Sequence, residues 1–161
     1  MATVVISDAG PLIALAKVDQ LAILEALFGS VVIPDAVERE CLSDSKEGSK
    51  RIQAAIDSGM LVPDAPTAGT AEIKLQRSLG DGEKQAIRLA LESSGSLLII
   101  DDRLARKQAL ALSLQIAGLV RILSIAEDMQ FIDSAERLIE EIRKNGYRIS
   151  LDILKQIRQG K

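Results

Sequence analysis

Histidine is missing from all 161 residues. Its absence removes Ser-His-Asp and Cys-His nucleophile systems, His-ligated zinc, and every nuclease mechanism that uses an imidazole as general acid or base. Cysteine is nearly missing as well. Cys41 stands alone, which excludes an internal disulfide and a multi-cysteine zinc site and favours a reducing, intracellular setting. With no histidine to activate it, Cys41 reads as a small buried residue. Aromatics are only 2% of the chain, with two Phe, one Tyr and no Trp. That leaves few platforms for stacking bases, and it makes the core aliphatic. No apolar run approaches the roughly 18 residues of a membrane span. The opening MATVVISDAG has no basic segment ahead of a long apolar stretch, so no secretory signal is expected. A soluble, cytoplasmic protein with no membrane partner follows, and any chemistry it performs rests on carboxylates, hydroxyls, Lys/Arg or a bound cofactor.

What is present fits one domain over residues 1–161, since domains run to roughly 100–200 residues. Hydrophobic residues make up 47% of the chain, enough for a proper core. The formal charge of −3 does not advertise nucleic-acid binding. A net charge sums over separate patches, however, and does not forbid it.

Short apolar strands alternate with helical patterns. Thr3 to Ser7 (TVVIS) reads as a buried strand, followed by a helix in DAGPLIALAKV with Pro11 in its first turn. A second helix, Leu21 to Phe28, ends at Gly29. Val31 to Ile33 is the next strand, and Pro34 leads into a helix through AVERECL. Ser43 to Ser49 is polar and loop-like, a helix runs from Lys50 to about Ser58, and Met60 to Val62 forms a short strand. PDAPTAGT (Pro63 to Thr70) is the longest turn-rich connection. GDGEKQAIRLALESSG is helical, Ser96 to Ile100 is the cleanest buried strand, RLARKQALAL is helical, and Leu114 to Ala117 is a last strand. Helices complete the chain: LVRILSIAEDM, SAERLIEEIRKN before Gly146, and SLDILKQIRQ begun by Ser150. This order predicts an α/β fold of three layers, a central parallel sheet of about five short strands flanked by helices, with a C-terminal helical extension over about 119–161.

In such sheets ligands bind beyond the carboxyl ends of the strands. Asp8 follows VVIS directly, and Asp101 and Asp102 follow LLII, so two strands deliver acids to one edge. Glu83 lies in the first turn of the helix before the second of these strands, and Glu40 lies on the helix after the Val31 strand. Several carboxylates in one pocket repel unless a cation sits among them, and Mg²⁺ prefers oxygen ligands. Such an ion supports phosphodiester cleavage without histidine. Each acid also has an ordinary role available: Asp8 as a helix cap, Glu83 as a first-turn acid on the helix dipole, Glu40 as a solvated side chain, and one of Asp101 and Asp102 as the cap of the helix beginning at Arg103. Arg103, Arg106 and Lys107 share one helix face just past the acid pair, either as a phosphate-positioning patch or as a solvated surface.

The segments VVISDAGPLIALAKVDQLAIL, VIPDAVERECL, LGDGEKQAIRLALESSGSLLIIDDRLAR and GLVRILSIAEDMQFIDSAERLIEEIRKNGYRIS together resemble a PIN domain, closest to the VapC-like prokaryotic branch with an extended helical C-terminus. The similarity covers almost the whole chain. It implies an RNA-cleaving enzyme dependent on Mg²⁺ or Mn²⁺, often the toxin of a toxin–antitoxin pair. The family's first aspartate falls on Asp8, with Ser7 in the adjacent hydroxyl position. Its helical glutamate falls on Glu40, its third acid on Glu83, and its fourth on the Asp101–Asp102 pair, with Asp102 the closer match. Asp8, Glu40, Glu83 and Asp102 are thereby the catalytic candidates, Asp8, Glu83, Asp101 and Asp102 the metal ligands, and Ser7, Arg103, Arg106 and Lys107 the substrate contacts. Arg121 and Glu127 depart from the branch, where a glycine and a basic residue are usual.

Three other readings compete. A receiver-like phosphoryl-transfer domain would place its acid pair after the first strand. A haloacid-dehalogenase-type phosphatase would have Asp-x-Asp there, whereas Asp8 is followed by Ala9 and Gly10. A degenerate PIN fold would bind protein or RNA without cleaving it. The apolar residues Leu138, Ile139, Ile142, Ile149, Leu151, Ile153, Leu154 and Ile157 add the expectation of a homodimer or an antitoxin-binding surface, beside plain core packing.

Overall fold

A computed structural model describes residues 3–43, 46–67, 69, 73–150 and 153–155. Its elements in chain order are β1 (Val5–Ser7), α1 (Ala9–Lys17), α2 (Ala22–Phe28), β2 (Val31–Pro34), α3 (Asp35–Leu42), α4 (Glu47–Asp57), β3 (Leu61–Asp64), α5 (Asp81–Glu92), β4 (Leu97–Ile99), α6 (Arg103–Ala111), β5 (Gln115–Ala117), α7 (Leu119–Asp128) and α8 (Ala135–Lys144). The five strands form one parallel sheet in the order β3-β2-β1-β4-β5. The expected three-layer architecture is therefore present. β1 and β4 lie side by side at its centre, with Ser7 opposite Ile99. The two strands that carry acids at their ends thus finish at the same level.

Period-2 alternation divides the core between the two faces of the sheet. Val5, Val31, Ile33, Ile99 and Ala117 point into one cluster with Leu12 and Leu15 of α1 and Ile122 and Leu123 of α7. Ile6, Leu98 and Ile100 point into the other, with Ala86 and Ile87 of α5 and Ala105 and Ala109 of α6. Short strands with continuous apolar runs suit a sheet covered on both sides, and the low aromatic content is met by small alanines against branched aliphatics.

Among the boundaries that differ from the sequence reading, two have a clear physical cause. α4 begins at Glu47 rather than Lys50. The Ser49 hydroxyl donates to the Lys46 carbonyl and Lys50 pairs with Glu47 at 3.4 Å, while Gly48 lies against Ala16 and Lys17 of α1. Packing against α1 recruits a stretch that reads as loop by composition. β3 runs through Pro63 to Asp64, inside the expected linker. It is an edge strand, where a proline's missing N–H costs no ladder bond. Of the helix expected from Ser150, residues 153–155 are helical, and Leu151, Asp152 and 156–161 lie outside the described residues.

Leu138, Ile139, Ile142 and Leu154 are buried in this chain's own core, so much of the apolar surplus at the C-terminus is taken up internally. No helix among the described residues is long and apolar enough to cross a membrane. Leu15 is fully buried under the sheet beside Leu12 and Leu24. Leu15→Ala should lower unfolding free energy by roughly 3–5 kcal/mol in urea denaturation, the transfer loss plus the cavity left behind.

Candidate active site

Asp8 stands one residue past β1, yet its amide still donates to the Ile99 carbonyl at 3.0 Å. The backbone is thus tied to β4 where the carboxylate departs. The side chain does not cap α1 and is only 8% exposed. Pro11, in the first turn of α1, sacrifices no helical bond, because the first amides of a helix lack partners.

Two further walls come from α3 and α5. The Gln85 side chain of α5 accepts from the Ala36 amide at 3.0 Å, capping α3 from its neighbour. Gly82, in the first turn of α5, lets the two helices close. A Cβ at Gly82 would lie 3.1 Å from Val37 Cγ2, 3.5 Å from Glu40 Oε2 and 3.6 Å from Asp8 Oδ1. Glu40 and Asp8 therefore converge on the same bare Cα. Glu83, one residue on, bends back so that Oε1 accepts from the Gly80 amide at 3.4 Å, while Oε2 is buried with no hydrogen-bond partner. Asp8, Glu40, Asp81 and Glu83 line a cavity of about 350 Å³ that no basic residue lines.

Like charge and burial show in the acids' proton affinities. Asp8 is raised from 3.8 to about 6, first by burial and then by Glu40, Asp102 and Asp101, against the lowering influence of the Ala9 amide. Glu83 is raised from 4.5 to about 7 by burial, by the charges of Asp102 and Asp8, and by a hydrogen bond with Asp102. That bond needs a proton. Without one, two carboxylates face each other and Glu83 Oε2 is orphaned.

Asp101 and Asp102 take different directions. Asp102 caps α6, its Oδ2 accepting from the Ala105 amide at 2.9 Å, and it acts on both Asp8 and Glu83. It flanks the acid cavity rather than lining it. Asp101 turns to α7, where the Leu119 amide donates to its two oxygens at 3.1 and 3.3 Å, and it also accepts from the Tyr147 hydroxyl. The ordinary capping role and the site-facing role thus fall on one residue, Asp102.

The expected substrate contacts separate. Ser7 is fully buried, and its hydroxyl donates to the Asp8 carbonyl at 2.9 Å. Arg103 and Arg106 line a second cavity of about 770 Å³ that also includes Asp101. Lys107 is exposed on α6 and lines neither cavity.

A family model described as a PIN domain matches residues 4–160. The chain belongs to the PIN-domain family. No curated protein matches it. PIN domains are generally nucleases acting on nucleic acid, and they typically use divalent metals. Membership sets aside the receiver and phosphatase readings.

In this PIN domain no group of three acids among the described residues is arranged to hold a metal ion as it stands. The donor set nevertheless fits a hard cation. It offers oxygen alone, Mg²⁺ commonly takes only one or two carboxylates and keeps several waters, and the orphaned Glu83 Oε2 and the raised Asp8 both register charge that a cation would offset.

Sequence reasoning missed Gly82, Asp81, Gly118 and Tyr147 as parts of this region. A Cβ at Gly118 would come within 2.5 Å of Asp101 Oδ1. Tyr147 spans from Asp101 to Gly10, where an added Cβ would meet its hydroxyl at 3.4 Å. It therefore bridges the two strand ends that bear the acids. Burial and the Asp101 charge hold its phenol well above the ordinary range. The only usable signal was its status as the lone tyrosine.

Two outcomes follow. Asp8 binds a proton more tightly folded than unfolded, so between pH 3.8 and about 6 its contribution to stability falls as pH rises. The ionised, buried form costs roughly 3 kcal/mol above that window. Without divalent ions, Asp8→Asn should melt several degrees above wild type at pH 8, the gap closing toward pH 4 and read by calorimetric melting. Tyr147→Phe, which strips a hydrogen bond from a carboxylate, should cost about 2 kcal/mol of unfolding free energy in urea.

Proposed function

We propose that this PIN domain is a metal-dependent ribonuclease that hydrolyses phosphodiester bonds at the acid cavity. The observation that supports it most is the convergence of Glu40 and Glu83 on one pocket with the buried Asp8, with Asp102 acting on two of them and one carboxylate oxygen left without a partner. Asp8 and Glu83 would hold Mg²⁺ or Mn²⁺, with Asp102 beside them. A divalent ion in that position would supply charge neutralisation at the phosphate and would acidify an attacking water. Asp102 keeps its orientation through the Ala105 amide, and Asp101, its oxygens already engaged, acts as a positioning residue that fixes α7 and the Tyr147 segment. Glu40, across Gly82 from Asp8, takes the proton released by the nucleophile.

The motif resemblance extends this reading to the VapC-like branch and to the toxin of a toxin–antitoxin pair, acting on RNA. Growth arrest on expression, relieved by Asp8→Asn, would support the toxin role. One observation favours a second reading, a PIN fold that binds without cleaving: no ready-made group of three acids exists among the described residues. Against it, none of the site acids forms an ion pair with Lys or Arg among those residues.

Calorimetric titration separates the two. Wild type should bind Mn²⁺ and cleave RNA only with Mn²⁺ or Mg²⁺ present. Asp8→Asn should abolish both. Glu40→Gln should retain Mn²⁺ affinity while kcat drops by roughly 10²–10⁴, the usual worth of a proton acceptor. A silent Mn²⁺ trace for the folded wild type would replace the nuclease with the binding module.

A further inference from the structure

The larger cavity opens between α6, α7 and the segment after α8, and it differs in charge from the acid cavity. Arg103 on α6, Arg121 on α7 and Arg148 beyond α8 line it. All three are exposed, and none makes a hydrogen bond or ion pair among the described residues. Arg106 is the exception, its Nη1 donating to the Ile100 carbonyl at 2.9 Å. The wall's acids are largely occupied. Asp101 accepts from Leu119 and Tyr147, and Glu127 accepts from the Ala135 amide at 2.9 Å. Asp128 alone is an exposed, uncommitted acid in this wall. In a chain of net charge −3, three elements distant in sequence thus deliver unpaired guanidinium groups to one concavity. Asp101 links the two cavities, since it lines this one and adds to the charge felt by Asp8 in the other.

We propose that this cavity holds the phosphodiester backbone of a nucleic-acid strand, through Arg103, Arg121 and Arg148, beside the acid cavity that takes the bond to be cut. The site rests on the nuclease reading for the path of the strand, but its binding chemistry is separate from cleavage. Guanidinium stays charged at every relevant pH and pairs with phosphate oxygens through two parallel N–H donors. Tyr147 is the one aromatic residue lining the wall, and it is held in place with its hydroxyl on Asp101 and its ring edge against Gly10. Contacts therefore fall on phosphates rather than bases, and phosphate contacts carry no sequence information. Arg121, which stands where the branch usually has a glycine, thereby becomes part of the binding surface. An acidic peptide would also suit three arginines, but it has no need of the neighbouring acids, whereas a strand to be cut must lie across both.

The test is fluorescence anisotropy with labelled RNA and DNA oligonucleotides of several sequences, in EDTA so that nothing is cleaved, over a salt series. Wild type should bind all of them with a steep salt dependence. The triple variant Arg103→Gln, Arg121→Gln, Arg148→Gln should bind more weakly, its log–log salt slope smaller by about 2, at about 0.7 per phosphate contact on a single strand. The matching triple Arg→Lys variant should keep most of the slope, and Lys144→Gln, outside both cavities, should match wild type. Parallel losses for RNA and DNA and across sequences support a backbone site. An unchanged slope in the Gln variant, a loss confined to one sequence, or equal displacement by a poly-glutamate peptide overturns it. A protein that binds in EDTA with the expected slope but cuts nothing with Mn²⁺ removes the nuclease reading and leaves this site standing.

Discussion

Desolvated carboxylates repel one another, and a fold that gathers them must hold them by force of packing. In this chain the force comes from the backbone. The β1–β4 ladder continues past its last strand residue through the Asp8 amide. Gln85 fastens α3 to α5, and Gly82, lacking a Cβ, lets Val37 and Glu40 approach the first turn of α5. None of these contacts draws on the acids' own charges, so the walls of the pocket are built independently of them. The aliphatic clusters on both faces of the sheet supply the stability that such a pocket drains.

The fold was legible because a parallel sheet covered on both sides writes itself as short apolar runs between helical stripes. TVVIS, VVI and SLLII could hardly belong elsewhere. Element boundaries were less legible where tertiary contact overrides composition, as at Glu47 to Ser49, which join α4 because α1 receives them, and at Pro63, which stays in β3 because the strand lies at an edge. Among candidate residues, acids at strand ends could be read from topology, since the end of a strand fixes where its next side chain emerges. Which of Asp101 and Asp102 faces which cavity could not, because that depends on where α7 and Tyr147 arrive. Gly82 was invisible for the same reason: its importance is the space it leaves for Val37 and Glu40, both some forty residues earlier.

The two cavities explain how a weakly acidic chain can address a polyanion. Composition averages a cavity of four acids and no basic residue with one of four arginines and three acids, and the average says nothing of either. Asp101 lines the second cavity and acts on Asp8 in the first. Its oxygens are taken by the Leu119 amide and the Tyr147 hydroxyl, so it satisfies local donors instead of pairing with the arginines around it. Those donors orient its oxygens but leave its charge in place, so the four arginines of this wall stand against the three acids Asp101, Glu127 and Asp128.

Helix ends bear on the same balance. α1, α3, α6 and α7 each begin within four residues of the end of a strand, so several helix N-termini lie at the acid-bearing edge. Asp101 and Asp102 each accept from the first turn of a helix, which fixes where their carboxylates sit. A helix end contributes typically 0.3–1 kcal/mol to a nearby carboxylate. Asp8, by contrast, bears roughly 3 kcal/mol of burial and repulsion. The Ala9 and Gly80 amides at the starts of α1 and α5 lower the proton affinities of Asp8 and Glu83, but burial and repulsion outweigh them. For those two, the remaining charge has to be met by something the helices do not provide, either a proton at low pH or a cation at neutral pH.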